Sequence, residues 1–254
     1  MRIIHLKIII PQKLINKLSS LLFDKTKRMY LRKYPDHIFL LILILMYLTN
    51  IQSMRRLYRY LVDGRIRISN LPSRQTIHYR LKRFSRKKMS KKLKKLFGTL
   101  LVIDSTEIKD RYTRLHVLYE AKEKVLIDFK IGEYSETEQA ELLLEEVENS
   151  ILLADRGYWV WRFLERVKDR MRLYVRPRGK EGKKFLKSEL NRYIYSKRWE
   201  IEWFIERMKQ RMKLKGMNEK TLKAQITYML LGMQLTFLID TLIHHPKLFR
   251  FIDS

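Results

Sequence analysis

The sequence predicts an α/β fold, in which a mixed five-stranded sheet is flanked by helices and preceded by an all-α region. Three observations carry this. Up to about residue 97, apolar residues recur at spacings of three and four, the helical period, with Pro11, Pro35 and Pro72 as punctuation. After Gly98 the order becomes three strands, helix, strand, helix, strand, helices. Three successive strands suit a meander, and later strands separated by helices join such a sheet by crossovers. At 46% apolar residues over 254 positions, the chain can bury a substantial core.

In the first region the run IFLLILILMYL, Ile38 to Leu48, reads as a buried helix. It is too short to span the roughly 30 Å of a bilayer core, which takes about 20 residues. Ser73 is a cap candidate for a short basic helix whose apolar face holds Ile77, Leu81 and Phe84, with Arg74, His78, Arg80 and Lys82 on other faces. Such a helix could enter a major groove or lie on the core with a solvated face. The next segment, SRKKMSKKLKKLFG, sets Arg86, Lys87, Lys88, Lys91, Lys92, Lys94 and Lys95 around Met89, Leu93, Leu96 and Phe97. Its spacing is amphipathic, and Lys87, Lys88, Lys91 and Lys92 are candidate phosphate contacts. Residues 1–97 therefore read as a helical, basic region suited to DNA, and 98–254 as a second domain.

In the second region LLVIDSTEI, RLHVLYEA and KVLIDFKIG read as three strands, and SETEQAELLLEEVEN as a capped helix. ILLAD is a buried strand, YWVWRFLERVKD a helix and MRLYVRPR a fifth strand. Two helices follow, near Leu186 to Leu214 and Thr221 to Ile243. The second is apolar nearly all round, which marks core or a subunit interface.

Charge narrows the partners. Lys and Arg number 55 against 27 acids, a formal charge of +28. An excess of one sign on that scale repels itself unless a polyanion is present, and nucleic acid is the obvious one. A membrane surface is the competing polyanion, and it rests only on this charge and the Ile38 run. The absence of cysteine excludes a disulfide framework, a zinc-thiolate site and a Cys nucleophile. The opening MRIIHLKIIIPQK lacks a small-residue cleavage site and is a poor signal peptide. The expectation is an intracellular protein that does not engage membrane.

Two acids share a context. Asp104 follows LLVI and Asp155 follows ILLA, each an apolar strand run. A carboxylate at the end of a buried strand is costly unless paired or holding a cation. If the two strands are neighbours, their acids meet, and Mg²⁺, which prefers carboxylate oxygen, is a natural neutraliser. Capping of the segments that follow is the alternative. A third acid comes from YSKRWEIEWFIERMK: on one continuous helix Tyr195, Arg198, Glu202 and Lys209 fall within a sector of roughly 60°. Alone, that stripe could be a solvated ladder in which Arg198 and Glu202 pair at i, i+4. Beside the two aspartates it would complete a metal-holding trio, with a phenol and two cations left for phosphate.

These residues resemble the DDE-type transposases of insertion sequences, in the group with a Tyr-x2-Arg-x3-Glu-x6-Lys signature. Tyr195, Arg198, Glu202 and Lys209 match all four positions. LLVIDSTEI resembles the first-aspartate strand, and ILLADRGYW the second-aspartate motif, with Asp155, Gly157 and Tyr158 in register. IDFKIGEYSETEQAELL resembles the stretch between them, and the likeness covers about residues 99 to 240. It implies a ribonuclease H-like fold with Asp104, Asp155 and Glu202 as catalytic metal ligands and Mg²⁺ or Mn²⁺, two ions, as cofactor. It further implies cleavage at the ends of a mobile element and transfer of the freed 3′ hydroxyl into target DNA. The partners implied are double-stranded DNA and a second copy of the chain, as a homodimer, in the prokaryotic cytoplasm at the nucleoid. Tyr195, Arg198 and Lys209 would contact DNA phosphates.

The sequence departs from the family at one place. Glu202 lies only 47 positions after Asp155, so the β-rich insertion many members carry there has no room. Trp159, Trp161, Trp199 and Trp203 could stack on bases in its stead or belong to the core. A DNA-binding protein without chemistry, derived from a transposase, is the alternative function. Glu107, Glu200 and Glu206 lie near the proposed trio and compete with Glu202 for its role, while His244 and His245 read as capping groups near a helix end.

Overall fold

A computed structural model describes residues 11–23, 34–51, 53–64, 70–81, 83–108, 113–132, 135–212 and 219–245. Lys82, the opening ten residues and the expected end of one helix at 213–214 lie outside them.

Five helices come first: α1 (Gln12–Leu22), α2 (Asp36–Leu48), α3 (Met54–Val62), α4 (Arg74–Leu81) and α5 (Arg86–Phe97). Proline stands at the cap of α1 and of α2, where a missing N–H is no loss. Ser53 and Ser85 cap α3 and α5 by accepting from Arg56 N and Lys88 N. Ser73 does the same for α4, accepting from Thr76 N at 3.2 Å. The apolar α2 is buried along Ile38, Phe39, Leu40 and Ile42 through Met46. Arg80 on α4 is buried rather than presented to a groove: it pairs with Asp36 at the start of α2 and lies over the rings of Phe23 and Phe39.

The sheet is built from β1 (Leu100–Glu107), β2 (Arg114–Glu120), β3 (Val125–Gly132), β4 (Ser150–Ala154) and β5 (Met171–Val175), in the order β3-β2-β1-β4-β5. The first three strands pair antiparallel with one another, and β4 adds to β1 and β5 to β4 in parallel. Crossovers run through α6 (Glu136–Leu143), which Ser135 caps, and through α7 (Trp161–Val167). Then follow α8 (Gly179–Phe185), α9 (Glu189–Ser196), α10 (Trp199–Met212) and α11 (Glu219–His244).

Two departures from the sequence expectation have physical causes. Segment 179–185 is helical although it has no apolar period; Gly182 lets it settle on the Pro177 carbonyl, which a Cβ there would meet at 2.3 Å. The helix expected from Leu186 onward is two helices, α9 and α10, joined through Lys197 and Arg198 by i to i−3 bonds such as Arg198 N to Tyr195 O, 3.1 Å, and Ile201 N to Arg198 O, 3.2 Å.

The helical region and the sheet share one apolar core. α11 lies against both α2 and β3. Gly232 brings α11 so close to α2 that a Cβ there would sit 2.2 Å from Leu43 O. Gln234, wholly buried, donates its amide N–H to the carbonyls of Ile127 at 2.7 Å and Leu126 at 3.3 Å, tying α11 to β3. The stretch Lys223–His244 is long and apolar enough to cross a membrane, yet two-thirds of its most apolar part is buried within the fold. At its end His244 Nδ1 donates to Asp240 O at 2.9 Å, the capping use expected of it.

Candidate active site

The parallel register of β1 and β4 runs Leu100↔Ile151, Leu101↔Leu152, Val102↔Leu153, Ile103↔Ala154. The next position on each strand is an acid, Asp104 and Asp155. Adjacent parallel strands thus carry their carboxylates at the same level. Asp104 is not the end of β1, as the sequence suggested; β1 keeps its pairing with β2 to Glu107, while β4 stops because Asp155 leads into a 3₁₀ turn at Arg156–Tyr158. What ends at Asp104 is the pairing between the two acid-bearing strands.

The α9–α10 junction delivers the third acid. Its i to i−3 bonds wind the chain at about three residues per turn, which eclipses i and i+3. Tyr195 and Arg198 therefore face the same way, and Glu202 follows one α-helical turn later. The stripe read as one helix is assembled by a tightened joint. Tyr195 Oη donates to Asp155 Oδ1 at 3.4 Å. The Arg198 guanidinium pairs closely with Glu202 Oε1, reaches Asp104 Oδ2 at 4.0 Å and lies 5.6 Å over the Tyr195 ring. Tyr195 thus meets Asp155, and Arg198 meets both Asp104 and Glu202. Lys209 is exposed on α10, two turns beyond Glu202 on nearly the same side.

Burial pushes the Asp104 carboxyl up to about 6; the Ser105 N–H and Arg198 pull it down, and Asp155 and Glu202 push it further up. Burial also raises the Tyr195 phenol. Burial works against the Arg198 charge, yet Tyr195, Glu202, Asp155 and Asp104 together hold it above its ordinary range. Burial is thus the largest influence on each group, with Arg198 the cation set among the acids.

The donors suit a hard divalent ion: all are carboxylate oxygens, on two strands and one helix, beside a phenol. Among the described residues no three acids close on one point, and the Arg198 guanidinium lies between Asp104 and Glu202. The competing acids are engaged elsewhere. Glu107 faces Arg114 at 3.8 Å, Glu200 faces Lys124 at 3.2 Å, and Glu206 accepts from Gln210 Nε2 at 3.1 Å.

The basic helix α5 buries Met89, Leu93 and Phe97 and leaves Lys87, Lys88 and Lys91 exposed, with Lys92 half-buried. Lys91 reaches Glu146 at 3.1 Å, and Lys94 lies inward, bonded to Glu145 O at 2.8 Å. Of the tryptophans, Trp161, Trp199 and Trp203 are exposed and Trp159 packs on the core.

Sequence reasoning missed a second polar cluster behind Asp104. Ser105 Oγ donates to Glu136 Oε1 at 2.7 Å, and Arg114 pairs with the same oxygen. Glu136 lies in the first turn of a capped helix, where an acid is ordinary, so nothing in its spacing singles it out.

A five-stranded mixed sheet in this order, with acids at one level of its two central parallel strands and helices on its faces, defines a ribonuclease H-like protein. The family model described as "Transposase DDE domain" matches residues 95–235, more than half of the chain, and the chain belongs to that family of DDE transposases. No curated protein and no solved structure matched the chain in comparison.

Proposed function

We propose that the chain is a DNA transposase that cleaves DNA at the ends of an insertion sequence and transfers the freed 3′ hydroxyl into target DNA. Family membership supports transposition in general; what supports the finer reading is that Arg198 pairs with both Asp104 and Glu202 while its neighbour on the same stripe, Tyr195, bonds Asp155. In this reading Asp104, Asp155 and Glu202 hold two Mg²⁺ or Mn²⁺ ions. When bound, divalent ions lower the charge barrier to attack at a phosphodiester and align the attacking and leaving oxygens.

The remaining work falls to the chain's own residues. Arg198, poised beside the acids, moves its donors to a DNA phosphate, to which a guanidinium offers two N–H groups at once. Tyr195, its phenol protonated through the neutral range, donates a hydrogen bond beside Asp155. Lys209 adds charge farther along α10, and Lys87, Lys88, Lys91 and Lys92 on α5 bind backbone away from the reacting bond. Residues 1–97 would serve DNA binding and 98–254 the chemistry, with a homodimer holding two DNA ends, in the cytoplasm of a prokaryote.

The test uses the whole chain with duplexes carrying the inverted repeats that flank its gene. Wild type is expected to nick these ends with Mg²⁺ or Mn²⁺. Asp104→Asn, Asp155→Asn and Glu202→Gln should each lower nicking by more than about a hundredfold while binding DNA normally. If all three still cut, the acid assignment is wrong. A wild type that binds ends but never cuts with either metal would be a DNA-binding protein without chemistry.

A further inference from the structure

The pairing of β1 with β4 stops at Ile103↔Ala154, one residue short of both aspartates. The two aspartates thus lie just beyond the β1–β4 ladder, although Asp104 stays paired with Val117 of β2. Beside the end of β1 lies Glu136, in the first turn of α6, a helix capped by Ser135, whose hydroxyl accepts from Glu138 N at 3.3 Å.

One carboxylate oxygen of Glu136 serves β1 and β2. Glu136 Oε1 accepts from Ser105 Oγ at 2.7 Å and pairs with Arg114, and Ser105 in turn donates its backbone N–H to Asp104 Oδ1 at 2.8 Å. Arg114 also faces Glu107, its cross-strand neighbour, at 3.8 Å. The other oxygen of Glu136, Oε2, lies on the side of Gly157, two residues after Asp155: a Cβ placed on that glycine would come within 3.2 Å of it. Behind the cluster lie two buried rings, Tyr158, 2% exposed, and His116, wholly buried and cross-strand from Ser105. Both stay neutral: burial pushes the Tyr158 phenol far up and the His116 imidazole down to about 4. Neither offers Glu136 a positive charge in the neutral range, so Arg114 is the cation that holds it.

We propose that Glu136 is a positioning residue that takes over where the β1–β4 ladder ends, helping to fix the separation of Asp104 and Asp155 by gripping Ser105 and Arg114 with one oxygen while the other fills the space left beside Gly157 by its missing side chain. This rests on the reading of Asp104 and Asp155 as the catalytic, metal-holding acids. Ligand spacing matters because groups that orient metal ligands typically change metal affinity or activity by about 10–100-fold when lost.

The experiment uses the full-length protein and Glu136→Gln, which keeps an acceptor for Ser105 and the bulk against Gly157 but loses the charge that holds Arg114. Glu141→Gln, on the same helix and paired with Arg166, is the control. Three readouts are taken: thermal melting without metal, Mn²⁺ affinity of metal-free protein by electron paramagnetic resonance, and kcat for nicking alongside DNA affinity. Expected for Glu136→Gln are an unchanged melting curve, Mn²⁺ binding weaker by about tenfold, kcat lower by a similar factor and unchanged DNA affinity. Glu141→Gln should alter none of these. Mn²⁺ affinity and kcat within twofold of wild type would overturn the proposal, as would losses that merely track a lower melting temperature. Asp104→Asn and Asp155→Asn separate the two levels. If those variants bind Mn²⁺ as wild type does, or wild type binds none, the acid assignment fails and the proposal with it; if they lose Mn²⁺ while Glu136→Gln does not, only the positioning role fails.

Discussion

Two titratable side chains in the sheet, His116 wholly and Asp104 partly buried, respond to acid in opposite directions. His116 titrates near 4 when folded, because burial disfavours its charge, against an ordinary 6.5. As pH falls from about 6.5 toward 4, the unfolded chain takes up a proton that the folded chain refuses, so the stability His116 contributes above 6.5 is lost, up to about 3 kcal/mol. Asp104 titrates near 6 when folded against 3.8, chiefly through burial, so over its window the folded chain takes the proton first and acid favours folding. His116→Leu removes only the first effect. Denaturant unfolding of metal-free protein should show the variant gaining on wild type as pH drops from 7 to 4.5; parallel pH profiles would mean His116 is solvated. The pairing of Asp104 with Asp155 was legible in the sequence because two apolar runs of four each end on an acid, and a strand so apolar belongs to the centre of a sheet. Glu136 was not, since its contacts depend on how α6 lands on two other strands.

At the scale of elements, close contact between backbones decides where helices can lie. Gly232 places α11 against the Leu43 carbonyl of α2, a contact made by backbone and therefore unable to yield as a flexible side chain would. Gly232→Ala must push the two helices apart, at a cost of about 1–3 kcal/mol or more. A shifted urea midpoint with an unchanged slope would show it; an unshifted midpoint would mean the helices are not so close. The apolar character of both helices was plain from sequence, but their partnership was not, because an apolar surface names no partner. The α9–α10 joint was hidden for a related reason: SKRW holds no proline or glycine, and the tightened turn coincides with Arg198 being drawn toward Asp104 and Glu202. The missed α8 has two glycines in GKEGKK, ordinarily marks of a loop, one of which is needed for its seat on Pro177.

The molecule as a whole carries +28, and its exposed lysines on α5 are spread along a helix rather than gathered in a pocket. Binding to duplex DNA should therefore be dominated by release of counterions. Affinity is expected to fall roughly a thousandfold between 50 and 200 mM salt if about six phosphates are engaged. Lys87→Glu and Lys88→Glu should each flatten the plot of log affinity against log salt by about one unit. Slopes that do not change would place the DNA on another face.

The seam between α2 and α11 bears on how the protein can be handled in the laboratory. A truncated chain starting at Thr99 would keep every strand and all three proposed acids, yet it would bare to water the side of the last long helix that Leu43 and its neighbours normally cover. Such a fragment is expected to precipitate or to be recovered as soluble aggregates on size exclusion, and adding residues 34–51 back as a separate peptide should restore part of the soluble yield.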